Sequence, residues 1–549
     1  STDTALSIDT GSGTGTIDIA PEIIGTDGSG NSAVTLDAGT GNVVLDNTGT
    51  GVIHTDIGAV NLTGTTITIS DNITTDGEAI NFIGNVVLNS SGQTITISSG
   101  AGAGNIDFSG TIDATTGGGN AEALTLLSGT GTTVIDSHIG ATTVLGDLTI
   151  GASGAGAITL SGNVGADAST AGAKNVAIGN ADTASITFGG VEFTTSGTQT
   201  FTADAYAING TDSTFGSENA NITFSDGGAD GEITLADAAD LTITTEVGGT
   251  GGGNIAVNVP ILGTAGGDAT DVTMTSGSGT ITVEDMGTDI NDISLTGTGA
   301  ITLDGTYTTT AVGGDTGDVN IAGPATIGAN TTIDTDSNNG TVTFTSTVDG
   351  GNTLTITSGS GAVDFAGNIG ATTALGDFTI NSSAGTGTID IEQIGDGDNA
   401  GGIIGTVAIG NTDTAQIEFD GTIYKFGQVT GETDTVTITA SDTDEAIDFT
   451  AGAAVTITGM GQDIGGANTT AGPALTFATG TIGLADGSNL TINSGGGAIT
   501  IKGIRGNSSE TVTLNANKTS GGTVSSTETI SIGSDGIGSS DQIGATRLT

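Results

Sequence analysis

Two apolar residues flank one polar residue, a Gly/Ser-rich bend follows, and the same triplet returns. This unit constrains the fold more than any other feature of the chain. It reads "LSIDTGSGTGTIDI" from Leu6, "ITISSGAGAGNIDF" from Ile95 and "LTIGASGAGAITL" from Leu148. It recurs as "LTITSGSGAVDF" from Leu354, "FTINSSAGTGTIDI" from Phe378 and "LTINSGGGAITI" from Leu490. Alternation at period two places Leu148, Ile150, Ile158 and Leu160 on one face, with Thr149 and Thr159 on the other. In the Phe378 copy the inner set is Phe378, Ile380, Ile389 and Ile391, with Thr379 and Asp390 outward. Each triplet therefore predicts a short strand and each bend a corner, where Gly permits positive φ or close backbone approach. The bends hold six to eight residues, too many for a two-residue hairpin loop. Helical periodicity is not evident, and the abundance of Thr, Val and Ile favours strand.

Two all-β architectures satisfy this pattern: a long right-handed parallel β-solenoid with Gly-rich corners, or a string of tandem β-sandwich modules. A sandwich core leans on large aromatics. Here 14 Phe and 3 Tyr are spread over 549 residues, without Trp, beside 99 Gly. That composition suits a thin, stacked core, and the solenoid is the favoured expectation, at about 20–25 residues per coil with strands ~4.8 Å apart. A longer repeat overlies the coils. "IGATTVLGDLTI" at 139 returns as "IGATTALGDFTI" at 369, and "VAIGNADTASITF" from Val176 returns as "VAIGNTDTAQIEF" from Val407. A block of about 230 residues repeated in this way lengthens a stack without saturating a core, because each coil contacts only its neighbours. The expected organisation is a repeat shaft over 1–500 and a cap or docking segment over 501–549.

Charge removes several function classes. The chain has 61 acidic and 6 basic residues, a formal net charge of −55. Nucleic-acid binding through phosphates needs a basic surface, and attraction to anionic lipid needs the same. No apolar run approaches a membrane-spanning helix, so membrane insertion by this chain is not expected. Gly does not recur at every third position and only 4 Pro occur, which excludes a collagen helix. Ordered alternation, with 34% hydrophobic residues, argues against disorder despite the charge. The chain has no Cys and hence no disulfide framework. It opens at Ser1 rather than Met and lacks an apolar signal segment, which reads as a processed mature chain or an excerpt.

Runs such as "NTLTITSGSGAVDFAGNIGATTALGDFTI" resemble the β-strand repeats of very large secreted bacterial proteins, the filamentous-haemagglutinin-like and autotransporter-passenger adhesins. The resemblance covers most of residues 1 to 500 and is one of composition and period. It implies a β-helical stalk on a prokaryotic cell surface, an extracellular location, and contact with cell-surface or matrix components. It brings no catalytic motif.

The chemistry offered by the residues themselves is sparse. His54 and His138 are the only histidines, and neither sits in a G-x-S-x-G elbow. Lys174 and Lys425 are the only basic residues before 502, and 61 carboxylates single out no glycosidase pair. The chain is accordingly read as non-enzymatic, with a polysaccharide-acting enzyme the least favoured alternative. Calcium is the one cofactor suggested. Asp334, Asp336 and Asn338 in "DTDSNNG" resemble the start of an oxygen-ligand loop, and "GDGDNAGG" supplies Asp396 and Asp398. "GGDTGDVNI" from Gly313 approaches the calcium β-roll repeat without iterating it. The competing reading is solvated Asp-rich turns.

Thr-x-Thr pairs raise ice binding, but Asp107, Asp364 and Asp390 interrupt the pattern as it reads along the chain. Carbohydrate binding would want an aromatic groove, for which Tyr206, Tyr307 and Tyr424 are scattered. N-x-S/T sequons occur at Asn61, Asn72, Asn221 and Asn489. Finally, four of the six basic residues, Lys502, Arg505, Lys518 and Arg547, lie at the end of a chain whose first 173 residues have none. This asymmetry suggests head-to-tail docking of the C-terminal region on the acidic N-terminal end of another copy, which would not close on itself. The expected role is a structural fibre, with a surface-layer or sheath subunit as the alternative.

Overall fold

The structure is a computed structural model that describes residues 4–25, 32–46, 52–54, 56–117, 121–151, 156–166, 170–228, 231–249, 251–264, 270–310, 316–337, 339–381, 387–397, 401–427, 434–442, 445–460, 471–506, 510–516, 518–520, 523–525, 529–538 and 547–548. It is an all-β parallel solenoid, which rules out the tandem sandwiches. Among the described strands the only antiparallel pair is Lys518–Ser520 with Thr523–Ser525. The chain divides into two compact units, Ser1–Gly266 with Thr273–Val283, and Gly267–Val272 with Glu284–Thr549.

In the first unit a coil typically lays down three short strands, each paired in register with its counterparts in the coils before and after. Ala123–Leu127 pairs with Thr94–Ser98 on one side and Leu148–Gly151 on the other, aligning Ile95, Leu124 and Leu148. A second file runs through Ile106–Phe108, Thr133–Ile135, Ala157–Leu160 and Ser185–Phe188. A third includes Glu192–Thr195, Asp212–Ser217 and Asp240–Thr244. The second unit repeats the plan. One file contains Thr331–Asp334, Leu354–Thr357, Phe378–Asn381 and Val407–Ile409. The next contains Val342–Phe344, Val363–Ile369, Thr388–Ile394, Gln416–Phe419 and Ile447–Phe449. The last contains Ile423–Phe426, Val455–Gly459, Leu490–Asn493 and Thr511–Asn515.

Coil length ranges from 19 residues, Ile67 to Val86, to 39, Val436 to Leu475. Many coils therefore exceed the expected 20–25, because the triplet–bend–triplet unit covers two strands and omits the third. Parallel pairing also continues past residue 500. Ile530–Gly538 stacks on Ile499–Gly506, and Arg547–Leu548 on Thr511–Asn515.

The core follows the alternation. Leu148, Ile150, Ile158 and Leu160 are buried, as are Phe378, Ile380, Ile389 and Ile391. In-register stacking brings identical residues face to face. Phe82 lies on Phe108 with ring centroids 4.4 Å apart, and Phe344 on Phe365 at 4.9 Å, both pairs stacked with nearly parallel ring planes. At one corner file, Gly is required by closeness rather than by φ. A Cβ on Gly340 would overlap the carbonyl of Gly317, and one on Gly361 the carbonyl of Gly340.

Candidate functional site

Asn and Asp residues form a recurrent stitch between coils. The Asx that immediately precedes an inward-facing strand residue accepts, through Oδ1, the backbone N–H at the matching position of the following coil. In the first unit Asn221 accepts from Asn254 N at 2.9 Å, and Asn254 accepts from Thr280 N at 2.9 Å. In the second, Asp271, Asp292 and Asp318 accept in turn from Asp292 N, Asp318 N and Thr341 N, at 3.1, 2.7 and 2.7 Å. Three of the sequon asparagines act this way. Asn72 serves Thr96 N at 2.6 Å, Asn221 serves Asn254 N, and Asn489 serves Thr511 N at 2.6 Å. Their N-[I/L]-T signature is the local grammar of a coil: stitch, inward apolar residue, outward Thr.

Three of the five candidate calcium ligands, Asp334, Asp336 and Asp396, fall among the described residues. Asp334 Oδ1 accepts the backbone N–H of Asp336 at 3.0 Å in a local turn, and Asn338 lies outside the described residues. Asp398 likewise lies outside them. Asp396 sits 3.8 Å from the ammonium of Lys425, a residue only 8% exposed. A lysine thus supplies positive charge beside that loop. Lys425 alternates with the inward Tyr424 and Phe426, so it points outward from the strand, and the chain at Gly395 and Gly402 passes over it. Among the described residues no three His, Cys, Asp or Glu side chains are grouped to hold a metal. His54 Nε2 lies 3.5 Å from Glu22, and His138 Nδ1 accepts the N–H of Asn163 at 3.0 Å.

The basic C-terminal residues are partly engaged at home. Lys502 is ion-paired with Asp442 and, at 3.2 Å, with Asp535 on the stacked strand Ile530–Gly538. Arg505 lies close enough to Asp535 to help hold its carboxyl below the usual range, after the direct hydrogen bonds from Lys502 and Ser534. The backbones of Lys518 and Arg547 lie in strands.

Threonine and acid separate onto different files, which reading along the chain did not show. In the first unit Thr96, Thr125, Thr149, Ala177, Thr200 and Thr223 face outward in register. In the second unit Thr332, Thr355, Thr379, Ala408, Thr437 and Thr476 do the same. Asp does not intrude on these runs. Each is a single file, since two residues further along the strands stand Ser98, Leu127 and Gly151 in the first unit and Asp334, Thr357 and Asn381 in the second. The three tyrosines are core residues, each about 1% exposed, and their hydroxyls accept backbone N–H groups of Ala203, Asp304 and Gly421. They form no surface platform.

Acidic residues make their own file in the second unit. Asp364, Asp390, Glu418 and Asp448 occupy consecutive rungs of one outward ladder. Desolvation, then the neighbouring carboxylates Asp420, Asp364 and Glu418, push the Asp390 carboxyl up to about 6. Desolvation also raises Asp364 and Asp448, the latter opposed by a hydrogen bond from Gln416 Nε2 at 2.8 Å. The ladder ends at Gly483, where a Cβ would collide with the Asp448 carboxylate.

No known protein family, curated protein or solved structure matches this chain. The ladder was nonetheless within reach of the sequence, because the two long repeats differ at its rungs.

Proposed function

We propose that this chain is a structural extracellular protein of a prokaryote, the shaft of a surface fibre or adhesin stalk of the filamentous-haemagglutinin-like kind, assembling head to tail with copies of itself. The observation that supports this reading is the parallel, in-register stacking of coils within each unit, which lengthens a shaft by adding coils. Among the described residues Leu6–Asp9, Ile17–Ile19 and Ile23–Ile24 are paired on one side only, and Leu6 and Ile24 are 37% and 49% exposed. In the second unit Ile530 and Ile532, on a strand paired among the described residues with Ile499–Gly506 alone, are 40% and 38% exposed. Exposed apolar rungs of this kind accept another parallel coil, of the same chain or of a second copy, through backbone hydrogen bonds and burial. Because Lys502 is held by Asp442 and Asp535, backbone edge pairing would carry the joint, with basic residues in a supporting part.

Negative-stain electron microscopy of the purified protein, with calcium and with chelator, tests this. Filaments many copies long are expected, and their loss in chelator would make calcium the bridge between acidic coils. Single particles under every condition would overturn self-assembly.

A further inference from the structure

The two long repeats provide an internal comparison. Val134, Thr159 and Thr187 of the first correspond to Asp364, Asp390 and Glu418 of the second, at offsets of 230, 231 and 231. In both repeats these residues are consecutive rungs of an outward ladder on matching strands. The next rung is Ala207 in one and Asp448 in the other. A neutral ladder therefore builds the same coils, and the carboxylates of the second repeat are not demanded by the fold. Like charges directly opposite one another on paired strands are destabilising. The groups facing this ladder make matters worse: Asp420 beyond the strand Gln416–Phe419, Glu392 on the strand of Asp390, and Glu445 beside Asp448. Gln416 is the neutral donor among them. The nearest basic rung of the file, Arg505, comes two coils beyond Asp448, past Gly483, and Lys425 faces Asp396.

We propose that this ladder is a proton-operated clamp, which loosens the coils carrying Asp364 to Asp448 at neutral pH and tightens them in mild acid. The carboxyls relieve their repulsion by taking up and sharing protons. The sign follows from their raised affinity for protons in the folded state. With Asp390 at about 6, against 3.8 for the unperturbed group, the folded coils bind more protons than the unfolded chain between those values. Stability of these coils therefore falls as pH rises through that window and is regained as pH drops below about 6.

Amide hydrogen exchange on the full chain at pH 5 and pH 7.5, corrected for intrinsic rates, tests the clamp. Protection of Val363–Ile369, Thr388–Ile394 and Gln416–Phe419 is expected to be roughly tenfold higher at pH 5. The strands Ala157–Leu160 and Ser185–Phe188 serve as reference within the same molecule and should change little, whereas Thr133–Ile135 is set aside because the raised carboxyl of Asp107 stands on the rung beside Val134. The variant Asp364→Val/Asp390→Thr/Glu418→Thr, which installs the other repeat's rungs, should lose the difference, and Asp390→Asn alone should lose much of it. Equal responses in ladder and reference strands, or an undiminished response in the triple variant, would overturn the proposal.

Discussion

At the scale of single residues, the fold depends on two small chemistries, the Asx stitch and the glycine corner. Asn254 links three coils, donating its N–H to Asn221 and accepting that of Thr280. Asn254→Ala removes one acceptor at an exposed position, so a loss of about 1 kcal/mol is expected in urea unfolding. Asn254→Asp keeps the acceptor and should cost less. Gly340→Ala is predicted to be worse, at about 2–4 kcal/mol, since its Cβ would run into the backbone of Thr316 and Gly317 and no flexible side chain can give way. The apolar alternation of residues such as Leu148 and Ile150 was legible in the sequence because period two has one structural meaning. The stitch was not. Asn72, Asn221 and Asn489 carry equally good signatures of a turn former and a glycosylation acceptor, and only register shows which backbone N–H each one meets.

At the scale of elements, the pair Lys425–Asp396 shows how far apart along the chain a local balance of charge is set. In sequence Asp396 sits in a Gly/Asp loop that suits a cation, and Lys425 stands alone in an apolar strand. Their meeting depends on the loop passing over the strand Ile423–Phe426, which no local pattern encodes. Asp396→Asn should strand a buried ammonium and lower stability by about 1–3 kcal/mol, a range reduced because Asp396 is itself partly exposed. Lys425→Met should be neutral or stabilising, since an apolar side chain of similar reach fills the same cover. In the double variant the Asp396→Asn penalty should vanish, a coupling that a double-mutant cycle in urea reads directly. If chelator destabilised the parent as much as Asp396→Asn does, a bound cation and not Lys425 would be the partner of Asp396.

At the scale of the whole chain, 61 acidic residues face 6 basic ones, and the lysine ion pairs seen among the described residues are those of Lys425 with Asp396 and of Lys502 with Asp442 and Asp535. Screening by salt has opposite effects on attraction and repulsion, and here repulsion dominates by number. Sodium chloride raised from about 10 mM to about 500 mM, where the Debye length falls from ~30 Å to about 4 Å, should therefore stabilise the protein. The thermal midpoint is expected to climb by several degrees at pH 7.5 and by less at pH 5, where raised carboxyls such as Asp390 have already taken up protons. A midpoint that fell with salt would mean that the few ion pairs outweigh the surplus charge. Calcium separates screening from binding. Millimolar calcium that raised the midpoint no more than sodium chloride of equal ionic strength would be acting as a diffuse counter-ion. A larger rise would require calcium held at defined carboxylates, for which the acidic ladder of the second unit is the first place to substitute.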